Sequence, residues 1–120
     1  MSRVCDLLDE DTPHALRNQL LRREPEMDVS AVGDAQAPDR GTDDATNLKW
    51  IEQHGYILVS RNRRSLPRHL RDHVEAGGHV PGIFLLRRRH TFGQVIEDLL
   101  LVWGACDAGE YRDRIEYLPL

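Results

Sequence analysis

Apolar residues along the chain fall into two kinds of run. Residues 4–8, 56–60 and 82–86 are short, nearly continuous apolar stretches of the kind found in strands buried on both faces. Residues 27–32 alternate and predict a further strand, and residues 115–118 a last, short one. Between them lie helical patterns. Leu16, Leu20 and Leu21 form one stripe on a helix expected from Pro13, capped by Thr12 and ending at Glu24 before Pro25. Ala45, Leu48 and Ile51 form another, capped at Thr42-Asp43-Asp44 and stopped by Gly55. A third helix is expected over residues 67–75, ended by Gly77-Gly78. The longest follows Thr91, with Phe92, Val95, Ile96, Leu99, Leu100 and Trp103 at helical spacing. Residues 33–41, rich in Gly, Pro, Asp and Ala, are expected to be the least ordered loop.

Strand and helix alternate from end to end. That order predicts an α/β protein, a single domain over residues 1–120, with a mainly parallel sheet of about five strands between two helical layers. Right-handed crossovers are expected, with the final strand free to join an edge in either direction.

Charge adds an asymmetry to this outline. Residues 56–93 carry eight Arg against two acids, a block of +6 between flanks of −6 and −4. Such a block attracts polyanions, although solvated helix faces paired with the acidic flanks would look the same. Cys5 and Cys106 lack metal-type spacing and read as packing residues. No run is long and apolar enough to span a bilayer, and the first residues lack a basic-then-apolar signal. A cytoplasmic location away from membranes is therefore expected.

The first strand ends in Asp9-Glu10-Asp11. In a parallel sheet all strand ends and the following helix starts share one edge, where such folds place their sites. Asp9 after the first strand, Asp44 at the second helix start and Asn62 after the third strand can therefore converge. Clustered acids repel unless a cation joins them, and hard oxygen ligands suit Mg²⁺ or Mn²⁺.

These segments, 7–13, 41–44 and 55–63 in their order and spacing, resemble the PIN-like (PilT N-terminus-like) fold. More closely, the chain is similar to small bacterial PIN-like proteins of unknown function found as presumed toxin components. The resemblance implies a three-layer α/β/α sandwich and a Mg²⁺- or Mn²⁺-dependent ribonuclease acting as the toxin of a toxin–antitoxin pair. RNA would be the substrate and an antitoxin protein the partner; a homodimer is left open. Asp9 and Asp44 match the metal-binding and catalytic acids, with Asp43 a near alternative. Asn62 falls where the family usually has an acid, and Arg64 replaces a second one. Asn62 is thus the expected third ligand, offering an oxygen without charge. The arginines Arg61, Arg63, Arg64 and Arg68 are expected to hold the phosphate backbone. The alternative is a catalytically impaired PIN-like protein that works as a protein-binding module.

Other features have plainer readings. His69 and His73 sit at metal-ligand spacing without an evident third ligand, and read as surface histidines. Arg87-Arg88-Arg89 suits either a phosphate contact or a solvated loop. Trp50 and Trp103 read as core or partner-facing anchors. The acids Glu10, Asp11 and Asp43 have no assigned role at this stage.

Overall fold

A computed structural model describes residues 3–120. Its strands and helices alternate as β1 (Asp6–Leu8), α1 (His14–Arg23), β2 (Val29–Ala31), α2 (Asp44–His54), β3 (Ile57–Ser60), α3 (Leu66–Glu75), β4 (Ile83–Leu86), α4 (Phe92–Ala105) and β5 (Ile115–Leu118). The five strands form one sheet in the order β2-β1-β3-β4-β5, every neighbour parallel. The last strand, whose direction the residue pattern left open, is also parallel.

Side-chain alternation divides the core into two. Leu8, Val59, Phe84 and Leu86 face α1 and α4, where Leu16, Leu20, Val95 and Leu99 cover them. Leu7, Leu58, Ile83 and Leu85 face α2 and α3, under Leu48, Ile51, Leu66 and Leu70. Both faces are covered, which is why the strands are apolar at successive positions. The architecture is an α/β sandwich. Among the described residues, no helix is long and apolar enough to cross a membrane.

Two local expectations are corrected. Thr12 does not cap α1: its hydroxyl donates to the Asp9 carbonyl at 2.6 Å, closing a turn, and Pro13 takes the N-cap position. The other correction concerns handedness. α1 and α4 share a face, yet the chain steps one way along the sheet from β1 to β2 and the other way from β4 to β5. Those two crossovers must have opposite hands. α2 and α3, on the far face, share the hand of α1, so the crossover through α4 is the exception to the usual uniformity. Residues 106–114 run as turns between α4 and β5. Their length frees α4 to bury its stripe beside α1.

The remaining caps follow the sequence. Asp43 accepts from the Thr46 amide at 2.7 Å, Gly55 closes α2 in the left-handed conformation at φ 77°, and Thr91 and Gln94 form a reciprocal capping box. Residues 33–41 are tied down by a Gly33 amide to Pro38 carbonyl bond of 2.8 Å, and by Asp34, which accepts from the Ala31 amide and pairs with Arg17.

Asp6 is the one acid within the central strands. It is 1% exposed, and its Oδ1 has no hydrogen-bond partner. Burial, with a further push from Asp28, raises its carboxyl from 3.8 to about 7. The folded chain therefore holds this proton more tightly than the unfolded chain. The penalty is absent below the unfolded value, grows as pH rises towards 7, and is constant above it. Asp6→Asn should match the wild type near pH 4 and exceed it at pH 8 by on the order of 4 kcal/mol. Urea denaturation at the two pH values checks this; an equal difference at both would mean that Asp6 does not titrate in the fold.

Candidate functional site: an acidic crevice at the switch point

The strand order reverses between β1 and β3: the chain leaves β1 towards β2 and returns across it to β3. In doubly wound sheets the crevice outside the strand carboxyl ends at this point is where ligands bind. Here the two strands stay zipped beyond their ends, with the Asp9 amide donating to the Val59 carbonyl at 2.8 Å. The Asp9 side chain, 7% exposed, accepts from the Ser60 hydroxyl at 2.8 Å and the Glu10 amide at 2.8 Å.

Ser60 is the hub. Its fully buried hydroxyl also accepts from the Asn62 amide at 3.0 Å and lies 3.4 Å from Asp11 Oδ2. Asp11 takes the Arg61 amide at 3.2 and 3.3 Å. From Asn62 the network runs on to α2, where the Asn62 Nδ2 donates to Asp44 Oδ2 at 2.9 Å and to the Ser65 hydroxyl at 2.7 Å. The Ser65 hydroxyl lies 3.3 Å from the same Asp44 oxygen, and His69 Nε2 lies 3.8 Å from it. Asp9, Asp44 and Asn62, far apart in sequence, thus belong to one connected network.

The details depart from the sequence expectations in instructive ways. Asn62 Oδ1 accepts from the Ser65 amide at 3.3 Å. Its amide nitrogen faces Asp44, where a cation or a donor is needed, and its oxygen closes the turn into α3. Asp43 lies outside the network as a helix cap, its carboxyl lowered by the Thr46 bonds. Asp11, Ser60, Ser65 and His69 join the network without having been singled out for it. Asp11 and Ser60 at least had a signal, since each adjoins a strand end.

The acids beside the start of β4, on the opposite edge, are paired instead, although Asp6 at the start of β1 is not. At the amino edge, Glu52 receives His73 Nε2 at 2.6 Å and the His79 amide at 2.8 Å, and its carboxyl is lowered, first by the His73 bond. Asp113 there pairs with His79 at 2.7 Å. At the crevice, burial raises the Asp9 carboxyl; Asp11 and Asp44 add to it, while Ser60 and the Glu10 amide oppose it. Burial likewise raises Asp11, against the Arg61 amide and Ser60. Among the described residues, neither Asp9 nor Asp11 has an ion pair. Raised carboxyls gathered at a crevice make this edge the candidate site.

Beside the acids runs an open groove of about 320 Å³ lined by Arg61, Asn62, Arg63, Arg64 and Arg88. Arg63 also donates to the Leu86 carbonyl at 2.6 Å, bracing the end of β3 against β4. Arg68 is exposed on α3 and does not line the groove; Arg88, from the Arg87–Arg89 run, does.

Among the described residues, no group of three or more His, Cys, Asp or Glu side chains is arranged to hold a metal ion. The donor chemistry nevertheless suits a hard cation. Mg²⁺ keeps several waters and takes one or two carboxylates together with substrate phosphates, and Asp9, Asp11 and Asp44 offer anionic oxygens on one edge.

Fold and site together define a doubly wound α/β protein with an acidic, arginine-flanked crevice at its switch point. No family model, curated protein or solved structure matches the chain.

The Asn62–Asp44 bond makes a sharp prediction. Asn62→Asp sets a second carboxylate against Asp44, and should cost roughly 2 kcal/mol in EDTA through the lost donor and the new repulsion. Added Mn²⁺ should recover that loss and raise the melting temperature of the variant more than that of the wild type. A variant that melts like the wild type with and without Mn²⁺ would show that residue 62 does not face Asp44.

Proposed function

We propose that this chain is a PIN-like, divalent-cation-dependent ribonuclease of toxin type, cytoplasmic and held in check by an antitoxin protein. The observation that carries the reading is the juxtaposition of under-compensated acids with an arginine groove at the switch point. Asp9 and Asp44 would hold Mg²⁺ or Mn²⁺, two carboxylates being enough where waters and a substrate phosphate complete the shell. When bound, the ion would supply an activated water and shield the charge on a phosphodiester. Ser60 fixes the Asp9 carboxylate, and Asn62 with Ser65 fixes that of Asp44, so both acids meet the substrate in defined orientations. Arg61, Arg64 and Arg88 attract and hold the phosphate backbone.

A second reading is favoured by one observation. The Asn62 amide already compensates Asp44, so the crevice can persist without an ion. A chain resting in that state would be the impaired, protein-binding form of the same fold.

Titration with Mn²⁺ by calorimetry, beside a cleavage assay on fluorescent RNA, separates the two. The nuclease reading expects wild-type binding and cation-dependent cleavage. It expects Asp9→Asn to lower both by at least tenfold with an unchanged far-ultraviolet spectrum. A wild type that neither binds Mn²⁺ nor cleaves RNA would leave the binding-module reading.

A further inference from the structure

The acids have cationic residues on both sides along the sheet. The Arg61–Arg64 and Arg88 groove lies beyond β3 and β4. On the other side, beyond β2 and β1, Arg40 and His14 line a narrow crevice together with Asp9 and Glu10. Arg40 is held in a particular way. Its aliphatic stem lies against Gly33, where a Cβ would come within 3.3 Å of it. Its guanidinium meets His14 Nε2 at 3.2 Å. Neighbouring Arg17 is paired with Asp34, whereas Arg40 has no ion pair among the described residues. Glu10, which lines the same crevice, turns its carboxylate to the Gly41 amide at 3.0 Å. Arg40 is thus an exposed cation that makes no ion pair among the described residues, across the acids from the main groove.

We infer that Arg40, supported by His14, is a second phosphate contact, so that an RNA strand crosses the sheet edge and presents an internal phosphodiester to Asp9 and Asp44. This rests on the nuclease reading of the crevice and adds the path of the strand. From β2 to β4 is three strand spacings, or about 14 Å. At the stacked-strand rise of about 3.4 Å that is roughly four nucleotides, and fewer for an extended strand. A dinucleotide, with one internal phosphate, cannot fill both contacts at once.

The test measures binding of fluorescein-labelled oligouridylates to the full chain by anisotropy, in EDTA and over a range of salt. Wild type, Arg40→Ala and Arg64→Ala are compared, with melting temperatures to verify folding. Each substitution is expected to reduce the slope of log affinity against log salt by about 0.7, the value for one phosphate contact on a single strand, and the double variant by their sum. Affinity is expected to rise steeply from dinucleotide to tetranucleotide and to flatten towards an octanucleotide. A folded Arg40→Ala with the wild-type slope, beside an Arg64→Ala with a reduced one, would overturn the second contact and leave the nuclease reading standing. So would a dinucleotide that binds as tightly as the octanucleotide. No RNA binding by the wild type at any salt would overturn both.

Discussion

The seam between β1 and β3 holds the site together. The Asp9 amide bonds the Val59 carbonyl, and one residue further on the Ser60 hydroxyl bonds the Asp9 carboxylate. Because β1 and β3 are adjacent but not consecutive, the seam can form only after the chain has passed through β2 and α2. Closing it places the first acid, the hydroxyl hub and the turn into α3 within hydrogen-bonding distance. Asp44 then arrives on α2, which packs beside α3 on the same face. Without the Ser60 hydroxyl, the Asp9 carboxylate would be buried with one fewer donor and the Asn62 turn would lose its acceptor.

Two acid clusters on opposite edges use similar residues to opposite effect. Beside the start of β4, Glu52 and Asp113 meet histidines and backbone amides, and the result is a staple. At the carboxyl edge, carboxylates meet hydroxyls, amides and one another, and the arginines stand beside them rather than on them. Burial therefore works against ionisation at Asp9 and Asp11. Holding such groups under-paired costs stability.

Much of this arrangement was legible in the sequence because it follows from periodicity. Continuous apolar runs announced β3 and β4, helical spacing announced α4, and a parallel sheet sends Asp9, Asp44 and Asn62 to one edge whatever the loops do. What sequence could not supply were choices made between distant side chains. Asn62 looked like an oxygen donor because its neighbour across space, Asp44, is eighteen residues away. Thr12 looked like a helix cap, but the Asp9 carbonyl claimed its hydroxyl. Arg63 and Arg68 looked alike, yet one reaches the Leu86 carbonyl and the other faces solvent. The hand of the α4 crossover depended on which face had room beside α1, which no local pattern encodes.

The central claim is that Asp9 and its neighbours form one under-compensated acidic site that a divalent cation would relieve. The most direct measurement is a carboxyl-carbon NMR titration of the aspartates, with and without Mg²⁺. Asp9 and Asp11 should titrate above the ordinary aspartate value of 3.8 in the free chain and move down when Mg²⁺ is present, while Asp113 stays below it in both conditions. An Asp9 that titrates at the ordinary value and does not respond to Mg²⁺ would contradict the account.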